Sequence, residues 1–304
     1  MNIINLDESV VRALDFFSKN QPPKLDLQKL NFPFVIGSGN AYNTGMILFS
    51  SKAAVFADES NFRPLIESYD QVIKKGIIKD AVIISASGEK DSVREIELAK
   101  KHRLKTTLLT CDAGSSAAKI ADKTFVYRKI AEPYTYNVST YLGMILSSTR
   151  EDPKKILSFL SRIRMPKNFN VYQSYSFILP DNFVNICSML DIKKSELFGP
   201  YVSIRAFSQG QARHAKFIHR SEKELVISID GKNKFFGHPN HRWNIKFPTA
   251  SSFATILSLT YYLIGKIQAT KSPYFKKNIG AFCHEYGPPV YGKNEKFEVI
   301  VPGN

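Results

Sequence analysis

The 304-residue sequence predicts an α/β protein made of doubly wound parallel sheets. Three observations point there. Short β-branched or apolar runs alternate with helix-length segments, each run ends in a small polar turn, and the alternation restarts past residue 166. At a prior of about 150 residues per domain, the length suits two such domains.

The elements are taken in chain order. Residues 1–33 read as an N-terminal helical segment. Phe34-Val35-Ile36 is a strand that runs into Gly37-Ser38-Gly39-Asn40 and then an apolar helix. Val82-Ile83-Ile84 is a buried strand entering Ser85-Ala86-Ser87-Gly88-Glu89-Lys90, with a helix from Ser92 to His102. Strand 105–110, a short helix from Ser115 to Asp122 and a strand from Lys123 to Tyr127 complete a domain spanning 34–165. Its later part holds an apolar helix from Val138 to about Ser148 and another from Pro153 to Arg164. A second, degenerate copy spans 166–270: strand 174–180 with Asp181 as helix N-cap, strand 225–229, a further strand near Trp243–Phe247, and a closing helix Ser251–Ile267. Residues 271–304 form a C-terminal tail.

The two polar turns of the first domain carry the chemistry. In a doubly wound sheet, ligands bind beyond the carboxyl ends of the strands, where both turns lie. Ser85 and Ser87 offer hydroxyl donors, Gly88 allows close backbone approach, and the following helix presents unpaired N–H groups to an anion. Lys90 places a cation in the first helical turn, against the preference of the helix dipole, which makes sense if a phosphate sits there. An ordinary β-to-α turn would use similar residues. A dinucleotide fingerprint is excluded, because Gly37-x-Gly39 lacks a third glycine and position 42 is Tyr.

Composition narrows the function classes. The net charge of +15 is spread over both halves, with clusters only at Lys271–Lys277 and around Arg213 and Lys216. No single stripe or reading helix marks a nucleic-acid binder, so none is expected as partner. A diffuse excess raises the local concentration of anionic metabolites. Cys111, Cys187 and Cys283 are widely spaced without a CxxC pair, which favours buried thiols over a zinc site or disulfides. The N-terminus lacks a basic, then apolar, signal pattern and the most apolar helix is too short to span a bilayer, so a cytoplasmic protein without membrane contact is expected. His238 and His241 stand in a Pro/Asn loop and read as a surface turn, and no metal is expected.

The run from Val35 to Tyr127 resembles a sugar isomerase (SIS) domain, the phosphosugar-binding module of flavodoxin-type topology. The likeness rests on Gly37-Ser38-Gly39-Asn40-Ala41-Tyr42 and Ser85-Ala86-Ser87-Gly88-Glu89, and continues to Ala121-Asp122. The family has Ser or Thr where Lys90 stands, so here an ammonium on a long stem replaces a hydroxyl. The resemblance implies phosphate contacts from Ser85, Ala86, Ser87, Gly88 and Lys90, joined by Gly39, Asn40 and Ala41. Asn137-Val138-Ser139-Thr140 resembles a family run that touches the sugar, so Ser139 is either a hydroxyl contact or a cap.

In the second half, Ala206-Phe207-Ser208-Gln209-Gly210-Gln211-Ala212-Arg213-His214-Ala215 resembles a segment of tandem-SIS enzymes such as the isomerase half of glucosamine-6-phosphate synthase and fructosamine deglycases. There a histidine assists sugar-ring opening, a role that falls on His214, supplied by the second domain or by a partner subunit. Gln211 replaces a family Glu, and Ala215-Lys216 replaces Gly-Pro. The family's general base falls on Phe198 in the direct register, and Glu196 stands two residues away. The tail from Lys271 to Asn278 resembles one that reaches over the site, with Lys276 or Lys277 as its lysine, although a solvated basic run reads equally from these residues. The resemblance thus implies a homodimer that binds a phosphorylated sugar or amino sugar without cofactor. It would be either an aldose–ketose isomerase or deglycase using His214 and Glu196, or a binding protein that has lost its base.

Overall fold

A computed structural model describes residues 3–27, 29–286 and 296–304. The chain begins with α1 (Leu6–Lys19), an amphipathic helix whose buried stripe of Leu6, Val10, Ala13, Leu14 and Phe17 follows a 3.6-residue period. Next come β1 (Phe34–Gly37), α2 (Asn40–Leu48), β2 (Val55–Ala57), α3 (Phe62–Ser68), α4 (Asp70–Lys74), β3 (Asp80–Ile84) and α5 (Asp91–Lys101). They are followed by β4 (Lys105–Thr110), α6 (Ser116–Ile120), β5 (Lys123–Val126), β6 (Glu132–Pro133), α7 (Val138–Thr149) and α8 (Pro153–Ser161). The second half holds β7 (Ser174–Leu179), α9 (Val184–Phe198), β8 (Ser203–Ser208), α10 (Gln209–Ala215), β9 (Glu224–Ile229), β10 (Arg242–Ile245), α11 (Phe253–Thr270), α12 (Tyr274–Glu285) and β11 (Ile300–Val301).

The expected doubly wound α/β architecture is present twice. The first sheet is parallel with strand order β2-β1-β3-β4-β5, and the second is parallel with order β10-β9-β7-β8. In each, the first strand in sequence lies inside the sheet, so the chain winds outward in both directions and leaves a switch point beside it. The second sheet lacks a fifth strand but keeps the rest of the pattern. β6 and β11 form a separate antiparallel pair.

The compact units are not contiguous in sequence. One groups 1–18, 131–138 and 151–303; the other groups 19–130, 139–150 and residue 304. This grouping differs from consecutive domains at 34–165 and 166–270, because α1 and the turn before α7 go with the later residues. Packing accounts for α1: a Cβ on Gly265 of α11 would lie 1.9 Å from the backbone N of Asp7, so the two helices touch there backbone to backbone. Lys266 adds an ion pair of 2.7 Å to Asp7. The tail expected over 271–304 contains α12, and its stretch 287–295 lies outside the described residues.

The first sheet is buried on both faces, as its run of apolar residues requires. Phe34, Ile36, Ala81, Ile83 and Leu108 share a core with Ile96 and Ala99 of α5 on one face. On the other, Gly45 of α2 sits directly on Val35 and Ile84. Residues of opposite parity thus face opposite helices, and the two turns leaving β1 and β3 part at the carboxyl edge.

Candidate functional site

The turn from Ser85 to Lys90 is built by bonds that end β3 and start α5. Ser85 N–H still belongs to the sheet, donating to Leu109 O at 3.0 Å. Its Oγ then accepts from Gly88 N–H at 3.1 Å, closing a tight loop around Ala86 and Ser87. Ala86 O accepts from Cys111 N–H at 3.0 Å and from Thr110 Oγ1 at 3.2 Å, so the loop is tied to the end of β4. Ser87 stands exposed at the tip, while Gly88 is buried beneath it.

Gly88 is demanded twice over. Its φ is +63°, and a Cβ there would lie 2.2 Å from Ser115 Oγ and 3.2 Å from Thr110 Oγ1. The glycine therefore serves the packing of the turn against Ser115 as well as the approach of a ligand. Glu89 is occupied: its Oε1 accepts Ser116 N–H at 2.9 Å at the start of α6.

Lys90 is not in the first helical turn, as expected, but immediately before it. It is the N-cap of α5 with φ 56° and ψ −115° and no side-chain cap. Gly39, N-cap of α2, has nearly the same backbone, φ 55° and ψ −119°. The two helix starts flanking the switch point thus share one geometry, met by glycine in one and by lysine in the other. A lysine at such a φ carries backbone strain on the order of 1–3 kcal/mol, of the kind that concentrates at ligand sites. Ala41 N–H is bonded to Ser38 O at 3.0 Å within the first turn. Asn40 is buried, and its Oδ1 has no hydrogen-bond partner.

A further acid near this edge escapes a reading of motifs alone. Glu95 of α5 is only 6% exposed, and its Oε1 lacks a partner. Burial first, then the charges of Asp91, Glu59 and Asp58, push its carboxyl up to about 7. Its place in the stripe Ser92–Glu95–Ile96–Ala99 signals burial in the sequence, whereas Asp58 and Glu59 come from the far end of β2. A cavity of about 220 Å³ in the same unit does not belong to this turn. Its lining includes Asp80, Lys105 and Lys123, the first residues of β3, β4 and β5, at the opposite end of the strands.

Ser139 lies fully buried at the start of α7, where its Oγ accepts Ile130 N–H at 3.2 Å. Glu196 and Phe198 stand at the end of α9. Phe198 is buried in the core. Glu196 Oε2 is 2.6 Å from Nζ of Lys193, whose side chain is completely buried while that of Glu196 remains 24% exposed. The ammonium also donates to Thr135 O. The i,i+3 spacing of the pair is the one signal in the sequence that points to Lys193. His214 is exposed on α10, one turn from a capping box formed by Ser208 and Gln211. Gln211 therefore has a structural role where the family pattern has Glu.

Asp181 does not cap its own helix, as expected. It opens a 3-10 turn, and its Oδ1 accepts Gly210 N–H at 2.7 Å at the start of α10. The Ser208 hydroxyl and that bond, with Arg213 nearby, hold its carboxyl below the usual range. Lys276 and Lys277 lie on α12. His238 and His241 have ring centroids 4.8 Å apart, and His241 Nδ1 pairs with Tyr172 Oη at 2.9 Å. Among the described residues no group of three or more His, Cys, Asp or Glu is arranged to hold a metal.

No family model matches the sequence, and no curated protein matches it. Solved structures do match. A Clostridium difficile 630 protein assigned as a phosphosugar isomerase has a TM-score of 0.63 at 12% identity, over 97% of this chain and 100% of that one. The C-terminal domain of glucosamine-fructose-6-phosphate aminotransferase from Francisella tularensis has a TM-score of 0.55 at 12% identity, over 87% and 93%. Tagatose-6-phosphate ketose/aldose isomerase from Escherichia coli has a TM-score of 0.54 at 12% identity, over 88% and 89%. The chain therefore shares its α/β fold with these structures along most of its length.

Proposed function

We propose that this chain binds a phosphorylated sugar or amino sugar, with the phosphate on the turn from Ser85 to Lys90. The observation that carries the reading is the shape of that turn: a hydroxyl-closed loop on a buried glycine, ending in a strained lysine before the N–H groups of an eleven-residue helix. Gly39, Asn40 and Ala41 supply the second wall, and the unpartnered Asn40 Oδ1 is suited to a sugar hydroxyl. The fold shared with phosphosugar proteins supports the same ligand class.

The activity that fits is aldose–ketose isomerisation or a related deglycation. By the family resemblance, ring opening would fall to His214, supplied by this chain or by a partner subunit. Glu196, oriented by its ion pair with Lys193, would take the proton from C2 and return it to C1 through an enediol, leaving the carboxylate unchanged. Ser139, fully buried with its Oγ accepting Ile130 N–H, fits a structural role rather than a sugar contact. A second reading, a binding protein without turnover, is favoured by Phe198 in the direct register of the base and by the full engagement of Lys193 with Glu196.

A thermal-shift panel of sugar phosphates on the wild type and on a Ser87→Ala, Lys90→Ala variant tests the binding. A ligand at about 100 times its dissociation constant should add about 2.7 kcal/mol to the wild type and far less to the variant. Equal shifts in both proteins, or none in either, would defeat the assignment. Solvent deuterium exchanged into C1 of bound fructose 6-phosphate or C2 of bound glucosamine 6-phosphate then separates the two readings: exchange marks an enzyme, and binding without exchange marks a binding protein.

A further inference from the structure

One face of the second sheet is thinly covered. Where β3 passes to β4 through the eleven-residue α5, β9 passes to β10 with only a 3-10 turn at Pro239–His241. The small core on that face, Ile178, Ala212, Phe217 and Val226, is roofed by Phe207 and Phe236. Phe217 and Phe236 lie 5.4 Å apart, and each is followed or preceded by an outward apolar residue: Ile218 is 93% exposed and Phe235 is 72% exposed.

Phe235 stands on a rigid support. The Arg242 guanidinium donates to four carbonyls of the loop: Lys234 at 2.7 Å, Phe236 at 2.9 Å, Phe235 at 3.1 Å and Gly237 at 2.7 Å. Asn233 Oδ1 accepts the N–H groups of Phe235 and Phe236 at 3.0 and 2.9 Å. Gly237 lies so close to Val226 that a Cβ would approach its Cγ2 to 2.3 Å. A loop held this firmly presents Phe235 to solvent without an ordering cost on binding.

The surrounding loops are mostly basic, although Glu222, Glu224 and Asp230 border them and Glu224 is paired with Arg205. Segments 212–221 and 231–246 contain seven Lys and Arg and neither Asp nor Glu. Arg220 lies near enough to Arg242 to contribute to lowering its pKa, after burial. Such a face repels its own copy. It protrudes as two apolar side chains rather than forming a groove, so a folded protein partner would need matching pockets. Ile218 cannot stack on a base, and a lone exposed Phe makes a poor platform for single strands. A fluid anionic surface meets each condition, since it yields to protruding apolar groups and attracts the flanking cations.

We infer that this face docks on an anionic lipid surface, with Phe235 and Ile218 entering the boundary between headgroups and acyl chains and Lys232, Lys234, Lys216 and Arg220 among the headgroups. The contact is interfacial; no described helix is long and apolar enough to cross a membrane. It does not rest on the sugar-phosphate reading, whose phosphate turn lies on the other sheet; of the residues in that reading, His214 and Glu196 belong to this half, and neither is altered in the test.

Co-sedimentation of the full chain with vesicles tests it, comparing phosphatidylcholine alone with phosphatidylcholine containing about one-third phosphatidylserine. Binding to the anionic vesicles should be at least about tenfold stronger and should weaken as salt rises. A Phe235→Ser, Ile218→Ser variant and a Lys232→Glu, Lys234→Glu variant should each lose most of it. Both should keep the wild-type melting temperature and sugar-phosphate shift, since all four residues lie in surface loops. Equal binding to both vesicles, binding to neither, retention in the Ser variant, or affinity for single-stranded nucleic acid alone would each overturn the proposal.

Discussion

The carboxyl edges of the two parallel sheets share a strand order and differ in who occupies them. At the first edge the turns are built from small hydroxyl residues and glycines, two helix N-caps adopt a left-handed geometry, and buried Asn40 and Glu95 oxygens stay unpartnered. At the second edge an internal anion already sits where a ligand would: Asp181 accepts the Gly210 N–H and is joined by Ser208. Duplicated topology supplies the crevice twice; at the second edge Asp181 takes up the helix start, and the anion proposed for this chain is assigned to the first.

The sharpest way to break this contrast is at Gly88. Gly88→Ala would place a methyl 2.2 Å from Ser115 Oγ at a φ of +63°. Strain and overlap together should cost about 3 kcal/mol or more, read by chemical denaturation, along with loss of sugar-phosphate shifts. A mild effect would mean that the turn is not rigidly held.

Glu95 gives an effect of similar size that depends on pH. Its folded-state carboxyl is raised to about 7 from 4.5. The folded state therefore holds its proton more tightly, and stability falls as pH rises from 4.5 to 7. The accumulated loss above pH 7 is about 3 kcal/mol. Glu95→Gln should flatten that slope and be more stable than wild type at pH 8, with little difference at pH 4. Parallel pH profiles for the two proteins would remove Glu95 from the account of the first edge.

At Lys90 the expected change is smaller and divides function from stability. Lys90→Gly relieves a φ of 56° and should raise stability by about 1 kcal/mol while weakening sugar-phosphate binding. If both quantities fall together, the lysine is held by packing rather than by service to a ligand. The mildest test is spectroscopic. The Gly210 amide proton should titrate with an apparent pKa below the ordinary carboxylate range as Asp181 gains a proton and releases it. In Asp181→Asn the titration should vanish. Its persistence would show that the second edge is not self-filled.

Local residue chemistry makes the first edge legible. Hydroxyl residues, a glycine and a following amphipathic helix mark a β-to-α turn wherever it lies, so residues 85–90 can be named without coordinates. The three-residue β2 is illegible because so short a run has no period to detect, and β8 stands out for its motif rather than as a strand. Asp181 misleads for a related reason. A local rule gives an acid before a helix to that helix, whereas its partner Gly210 lies 29 residues onward. Lys193 and Glu196 are visible as a helical pair, but not that the ammonium is completely buried.

The sequence by itself determined the alternation of strands and helices, the repetition of the sheet and the place of the anion-suited turn, because each arises from contacts among near neighbours. Only the tertiary structure decided that Lys90 takes a glycine's backbone, that Glu95 keeps its proton near neutrality, and that the second edge is filled by its own carboxylate. Those outcomes depend on which distant groups share a buried space, and burial sets the cost of every unpaired charge and strained dihedral placed within it.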